Sequence, residues 1–252
     1  MAVNPVELAF RTHQGLVRSR NQDWIQADAD LGVMVLADGM GGHCSGEVAS
    51  RVAVEAAIAA LLPAQRAGRG DEMEAQLEIG QAVEAANHAL VDMCEVHPEL
   101  QGMGTTLVAA MFRDGMVFYA HVGDSRLYRV RYGRMRRLTR DHSLIQRMVD
   151  EGVFMNRAAA REAGIRDNVL TRSLGQQRQT EVDVGSAVLE VGDTYLLCSD
   201  GLHGLVPDSI IAGILRDRDG DLDEQAQTLI DAALGAGGRD NVTVMLARPR
   251  LR

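Results

Sequence analysis

Four aspartates at the ends of short apolar runs constrain this chain more than any other feature. Val33-Met34-Val35-Leu36-Ala37 runs into Asp38-Gly39, and Val117-Phe118-Tyr119-Ala120-His121-Val122-Gly123 runs into Asp124. Tyr195-Leu196-Leu197-Cys198-Ser199 runs into Asp200-Gly201, while Asp240-Asn241 opens the run Val242-Thr243-Val244-Met245-Leu246. Runs of this length, bounded by Gly, Asp and Asn, read as buried strands. In an antiparallel sheet the end of one strand lies beside the start of its neighbour. Three aspartates leaving strands and one entering a strand therefore meet at one edge. Carboxylates gathered in that way repel one another unless cations hold them. An all-oxygen donor set suits a hard divalent metal, and such metals serve chemistry on phosphates.

The chain has 252 residues, 46% of them hydrophobic and only 4% aromatic. That length suits one large domain with a core of Val, Leu, Ile, Ala and Met. No apolar stretch approaches the roughly 20 residues of a membrane span. Met1 to Arg11 lacks the charged start and long apolar block of a signal peptide, so a cytoplasmic protein with no membrane partner is expected. A net charge of −9 argues against nucleic acid as a partner. All 26 basic residues are arginine. The absence of lysine excludes a Gly-Lys-Ser/Thr phosphate loop and a lysine nucleophile. The three cysteines, Cys44, Cys94 and Cys198, form no CxxC pair and read as small buried residues rather than a redox switch.

Val6 to Thr12 reads as a first strand, and Trp24 to Ala37 as two more with a turn near Asp30. Ser45 caps an expected helix to about Leu62, followed by a polar connection from Pro63 to Gly70. Asp71 and Glu74 resemble a capping box for a second helix to about Val96, with Met73, Leu77, Leu90 and Met93 expected in the core. Strands follow at Thr105–Phe112, Met116–Val122, Arg126–Arg131 and Arg134–Leu138, with turns at Asp114-Gly115 and Tyr132-Gly133. The stretch from about 141 to 170 is polar and rich in Arg and Ala. It reads as an inserted flap, with a helix at Ser143–Glu151 and a mobile stretch at Asn156–Gly164. Strands return at Glu181–Leu189 and Thr194–Cys198. Helices at about Asp208–Leu215 and Glu224–Leu234 precede a last strand. Strand runs interrupted by paired helices indicate an α+β layered fold with antiparallel sheets.

Six segments come in a fixed order: Arg18-Ser19-Arg20-Asn21-Gln22-Asp23, Asp38-Gly39-Met40-Gly41-Gly42-His43, Gly102-Met103-Gly104-Thr105-Thr106, Val122-Gly123-Asp124-Ser125-Arg126, Ser199-Asp200-Gly201-Leu202 and Gly238-Arg239-Asp240-Asn241. In these segments the chain resembles the metal-dependent protein serine/threonine phosphatases of the type 2C (PPM) family, in its bacterial form. The resemblance implies a four-layer α-β-β-α sandwich, two central antiparallel sheets flanked by helix pairs, with metals at one edge.

It also implies roles. Asp38 would bridge two Mn²⁺ or Mg²⁺ ions, and the Gly39 carbonyl would bind one of them. Asp200 and Asp240 would complete the other ion's shell, and Asp124 would hold a third, weaker ion. Arg18 matches the arginine that grips the substrate phosphate, and Asp23 a carboxylate that orients the attacking water. His43 is a candidate general acid, or else a tether for the helix starting near Ser45. Two ions about 4 Å apart acidify a shared water and neutralise phosphate charge, so no Ser or Cys nucleophile is required. A guanidinium forks onto phosphate oxygens as no lysine can.

The expected activity is hydrolysis of phosphoserine and phosphothreonine in proteins, opposing a bacterial serine/threonine kinase, by a monomer. One alternative is a non-catalytic type 2C-like regulator that binds phosphoproteins; loss of a metal aspartate would favour it, and all four are present. Another is an unrelated hydrolase of small phosphoesters. Seven arginines between Arg126 and Arg140 read as the solvated face of a hairpin, or as a basic platform for acidic or phosphorylated segments.

Overall fold

The structure, a computed structural model, describes residues 4–41, 45–68, 71–218 and 220–250. Its strands are β1 (Val6–His13), β2 (Asp23–Asp28), β3 (Val33–Met40), β4 (Gly104–Thr105), β5 (Leu107–Arg113), β6 (Met116–Val122), β7 (Arg126–Arg131), β8 (Arg134–Arg137), β9 (Asp183–Val188), β10 (Thr194–Cys198) and β11 (Val242–Pro249). Its α-helices are α1 (Ser45–Ala67), α2 (Glu72–Val96), α3 (Leu144–Asp150), α4 (Arg157–Glu162), α5 (Asp200–His203), α6 (Asp208–Ile214) and α7 (Leu222–Gly235). One sheet runs β2-β3-β5-β6-β9, with β4 paired to β3, and the other runs β1-β11-β10-β7-β8. Every pairing between these strands is antiparallel.

The strands are continuously apolar because both their faces are covered. Val33, Val35 and Ala37 of β3 join the cluster under α1 and α2, as do Leu107, Ala109 and Met111 of β5. The alternate residues Met34, Leu36, Val108, Ala110 and Phe112 meet Tyr195, Leu197 and Met245 of the other sheet. The Phe112 and Tyr195 rings pack edge to face, 5.2 Å between centroids. Leu196, Cys198, Val242, Val244 and Leu246 face α5, α6 and α7. The outcome is the expected layering of helices, sheet, sheet and helices.

Several elements depart from the sequence reading. Helix α1 continues through Pro63 to Ala67. Pro63 and Ala59, whose carbonyl loses its partner, both face solvent, so water satisfies the freed group. Beyond the proline, buried Gln65 donates to the carbonyls of Leu31 (2.6 Å) and Phe112 (3.1 Å) and holds the last turn down. Asp71 and Glu74 do form a capping box on α2. Leu90 and Met93 pack in the core, whereas Met73 and Leu77 are exposed. The buried face of α2 is instead Ala75, Ile79, Ala82, Val83, Ala86 and Leu90.

The strand expected at Thr105–Phe112 breaks at Thr106 into β4 and β5. Residues 156–164 contain α4, capped by the Asn156 side chain. Four arginines of the 126–140 stretch are committed to acids: Arg126 and Arg137 to Asp141, Arg131 to Asp193 and Glu190, and Arg140 to Asp150. They do not present a free basic platform. Among the described residues no helix is long and apolar enough to cross a membrane.

Candidate active site

Asp38 lies near the end of β3, directly opposite Asp23 at the start of β2. The break at Thr106 exists to hold it. Thr106 Oγ1 accepts the Asp38 N–H at 3.0 Å, and the Thr106 N–H and Thr105 hydroxyl both donate to the Asp38 carbonyl. Gly39 then passes α1 so closely that a Cβ would come within 2.0 Å of the Gly46 carbonyl oxygen. Any side chain here would push the helix away from the strand.

Asp200 opens α5 just after β10, and Asp240 precedes β11, the antiparallel neighbour of β10. Asp124 lies in the crossing from β6 to β7, that is, between the two sheets. Asp38, Gly39, Asp124, Asp200, Asp240 and Arg18 all line one cleft of about 1000 Å³. Its far wall is polar, built from 168–173 and from Gln176, Gln177 and Gln179. The strand-end argument from the sequence holds for Asp200 and Asp240, on neighbouring strands of one sheet, whereas Asp38 comes from the other sheet and Asp124 from the crossing between them.

Burial first, and then neighbouring carboxylates, raise the pKa values of Asp23, Asp38, Asp124 and Asp200. Asp38 stands well above the usual carboxylate range, with Asp23, Asp200, Asp124 and Asp240 all adding to the effect of burial. Asp23 rises to about 7 and Asp200 to about 6, and Asp124 is raised strongly as well. Asp23 Oδ1 and Asp200 Oδ1 are buried without a hydrogen-bond partner. Buried carboxylate oxygens that crowd one another and lack donors fit divalent cations. With no nitrogen or sulfur among the donors, the set fits Mg²⁺ or Mn²⁺ better than zinc.

Asp23 sits behind the cleft, where its Oδ2 accepts from the Ser199 hydroxyl at 2.8 Å. Arg18 reaches the rim from the 14–22 loop and pairs with Asp240 at 2.7 Å. That loop is held by Asn241. The Asn241 amide donates to the carbonyls of Gln14 (2.9 Å) and Arg20 (2.8 Å), and its oxygen accepts the Gln22 N–H (2.9 Å). His203 Nε2 donates to the Asp124 carbonyl at 3.0 Å, and burial keeps the ring neutral. Neither residue's role was read from the sequence, because each grips a backbone carbonyl brought in from a distant loop. His43 lies outside the described residues.

Cys198 is buried, and burial pushes its thiol well above the ordinary range. It is no nucleophile. His121, His142 and Asp183 offer ligand atoms within 4.8 Å of one another, a grouping the sequence did not suggest. His142 Nδ1 accepts the Gly123 N–H at 3.1 Å, which leaves the proton on Nε2 facing Asp183. The His121 ring stacks on it at 4.7 Å. The group is a hydrogen-bonded brace beneath the Asp124 loop.

A family profile described as Protein phosphatase 2C matches residues 12–233. The serine/threonine phosphatase stp of Listeria innocua is 37% identical over 245 residues, 96% of this chain and 95% of that protein. The serine/threonine protein phosphatase PstP of Mycobacterium tuberculosis is 40% identical over 240 residues, 95% of this chain but 44% of PstP, so the chain spans under half of that relative. A solved catalytic domain of PstP, in complex with two manganese ions, superposes with a TM-score of 0.83 at 38% identity, covering 98% of this chain and 99% of that one. Likeness of this extent, at this identity, means that the chain belongs to the protein phosphatase 2C family.

Proposed function

We propose that this chain is a metal-dependent phosphatase that hydrolyses phosphoserine and phosphothreonine in proteins. The observation that carries the reading is the buried carboxylate group where the two sheets meet, with unpartnered oxygens and an arginine at the rim. Asp38, Asp200 and Asp240, with the Gly39 carbonyl, would hold two Mn²⁺ or Mg²⁺ ions, and Asp124 a third. Bound there, the ions supply a nucleophile from water at neutral pH and neutralise charge on the phosphate. Asp23, opposite Asp38 on the neighbouring strand and fixed by the Ser199 hydroxyl, would orient the attacking water. Arg18 carries five donors, enough to hold Asp240 and still fork onto a phosphate.

We read the chain as one domain in which 141–170 forms a flap at the cleft, selecting among phosphoproteins rather than serving the chemistry. A serine/threonine kinase would supply the substrates, in the cytoplasm, and the chain would act as a monomer. A regulator that only binds phosphoproteins has no use for four intact metal carboxylates, so the catalytic reading is preferred. The test is hydrolysis of phosphothreonine and phosphoserine peptides, with nucleotides as controls. Mn²⁺ or Mg²⁺ should support turnover on the peptides, and EDTA should abolish it. Full activity in excess chelator would sink the mechanism.

A further inference from the structure

A second groove, of about 650 Å³, opens beside the cleft. Met73, Leu77 and Glu84 of α2 form one wall and residues 180–184 the other. Thr180 and Glu181 line both the groove and the cleft that holds Asp38, so the two are continuous. Met73 is 77% exposed, Leu77 59% and Val184 41%. Met73 and Leu77 are one helical turn apart and share a face. Scattered apolar residues on a surface need no explanation, but a contiguous set lining a groove does. The sheet edge adds to this. Among the described residues β9 pairs only with β6; Arg131 takes the Val188 carbonyl at one end, and the end at Val184, beside the groove, is where an extended chain could join the edge. Glu84 places a negative charge on the groove wall, while Glu181 is paired with Arg172 at 2.8 Å.

We propose that this groove docks the substrate phosphoprotein itself, through an extended stretch flanking the phosphorylated residue. That stretch would place an apolar side chain against Met73, Leu77 and Val184, and a basic one near Glu84. The inference rests on the phosphatase reading. Continuity through Thr180 and Glu181 favours the substrate over other occupants, because a chain whose phosphate lies in the cleft passes along this wall. The charge of Glu84 favours a basic flank. Binding energy gathered away from the reacting phosphate then separates one phosphoprotein from another.

The test uses the whole chain with Mn²⁺ and three substrate kinds: an aryl phosphate, a short phosphothreonine peptide, and long-flank peptides carrying leucine and arginine at successive positions. The wild type should show a lower KM for a subset of the long peptides. Leu77→Arg should raise KM for that subset about tenfold, the worth of one buried apolar side chain. Hydrolysis of the aryl phosphate and the short peptide should not change. Glu84→Arg should shift the preference from arginine flanks to glutamate flanks. If Leu77→Arg damages aryl phosphate hydrolysis, Leu77→Ser replaces it. A wild type indifferent to the flanks, or variants that keep the preference, would overturn the proposal. So would light scattering in which Leu77→Arg converts a dimer to a monomer while KM stays put, because the groove would then join two copies. Anisotropy of labelled long peptides in EDTA reads docking without turnover. If no phosphopeptide is hydrolysed the phosphatase reading falls, and the anisotropy difference between wild type and Leu77→Arg still decides the groove.

Discussion

Asp38 occupies a position where a negative charge is costly to hold. Burial raises its pKa first, and four other carboxylates add to the shift. A carboxyl raised in the folded state contributes stability that is present below its unfolded value and is lost as pH rises through the folded value. In the metal-free protein, Asp38→Asn should therefore be stabilising, and its gain in Tm over the wild type should grow as pH rises above the ordinary carboxylate range. Taking the difference cancels the buried histidines, which titrate alike in both proteins. With Mn²⁺ present the same variant should lose more than about 100-fold in turnover, the scale for removing a preorganised electrostatic partner. Thermal melts in EDTA and steady-state kinetics check the two halves; a folded variant with near-normal turnover would remove Asp38 from the site. The aspartates were legible in the sequence because each stands where an apolar run meets a turn, with glycine following Asp38 and Asp200. Thr106, Asn241 and His203 were not, since a residue that binds a distant backbone group leaves no local trace.

The element whose character the sequence described least well is the stretch from 141 to 170. Arg-Ala-Ala-Ala-Arg-Glu at Arg157–Glu162 has no apolar periodicity, and a helix this short is not stable alone. It forms because the Asn156 side chain caps it and its arginines find acids. Arg157 pairs with Asp141 and Asp167, and Arg161 with Asp167 at 2.6 Å. Asp141 is the anchor. Burial works to raise its pKa, yet the two hydrogen bonds from Arg126 (2.9 and 2.7 Å) and its charge hold it well below the usual carboxylate range. Arg157→Ala should release α4 while leaving Asp141 paired with Arg126 and Arg137. Hydrolysis of an aryl phosphate should stay within about threefold, because the change loosens a rim element rather than the chemistry. Relative rates on different phosphoproteins should change more, and a protease should cut near α4 sooner. Equal losses on all substrates would mean that the stretch supports the metal carboxylates instead. The same logic explains α1, where Pro63 marked an end that Gln65 overrides through two buried carbonyls.

At the scale of the whole molecule, the site is a seam between two sheets. Asp38 belongs to the β2-β3-β5-β6-β9 sheet, Asp200 and Asp240 to strand ends of the other, and Asp124 to the crossing between them. Beyond the apolar layer between the sheets, this end of the seam is tied by polar links: the Ser199 hydroxyl on Asp23, the Gln22 N–H on Asn241, and the Thr106 and Ser125 hydroxyls 2.7 Å apart. The apolar runs made the layers legible, since a strand covered on both faces has no polar side to show. Which aspartate fell to which sheet was not legible, because strand order depends on long-range pairing. Ions held from both sides would tie the sheets together, and ligand bound only to the folded state stabilises it by about 2.7 kcal/mol at 100 times Kd. For a chain of this size that corresponds to a rise in Tm of about 5–10 °C in saturating Mn²⁺. Asp38→Asn should forfeit most of the rise, and Leu77→Arg, away from the seam, should keep it. The decisive measurement is amide hydrogen exchange, which resolves one sheet from the other. Mn²⁺ should slow exchange in β3 and in β10 and β11 together, since an ion shared by both sheets must be released before either edge opens. Slowing confined to β3, or to β10 and β11, would place the ions on one sheet and leave the seam to its hydrogen bonds.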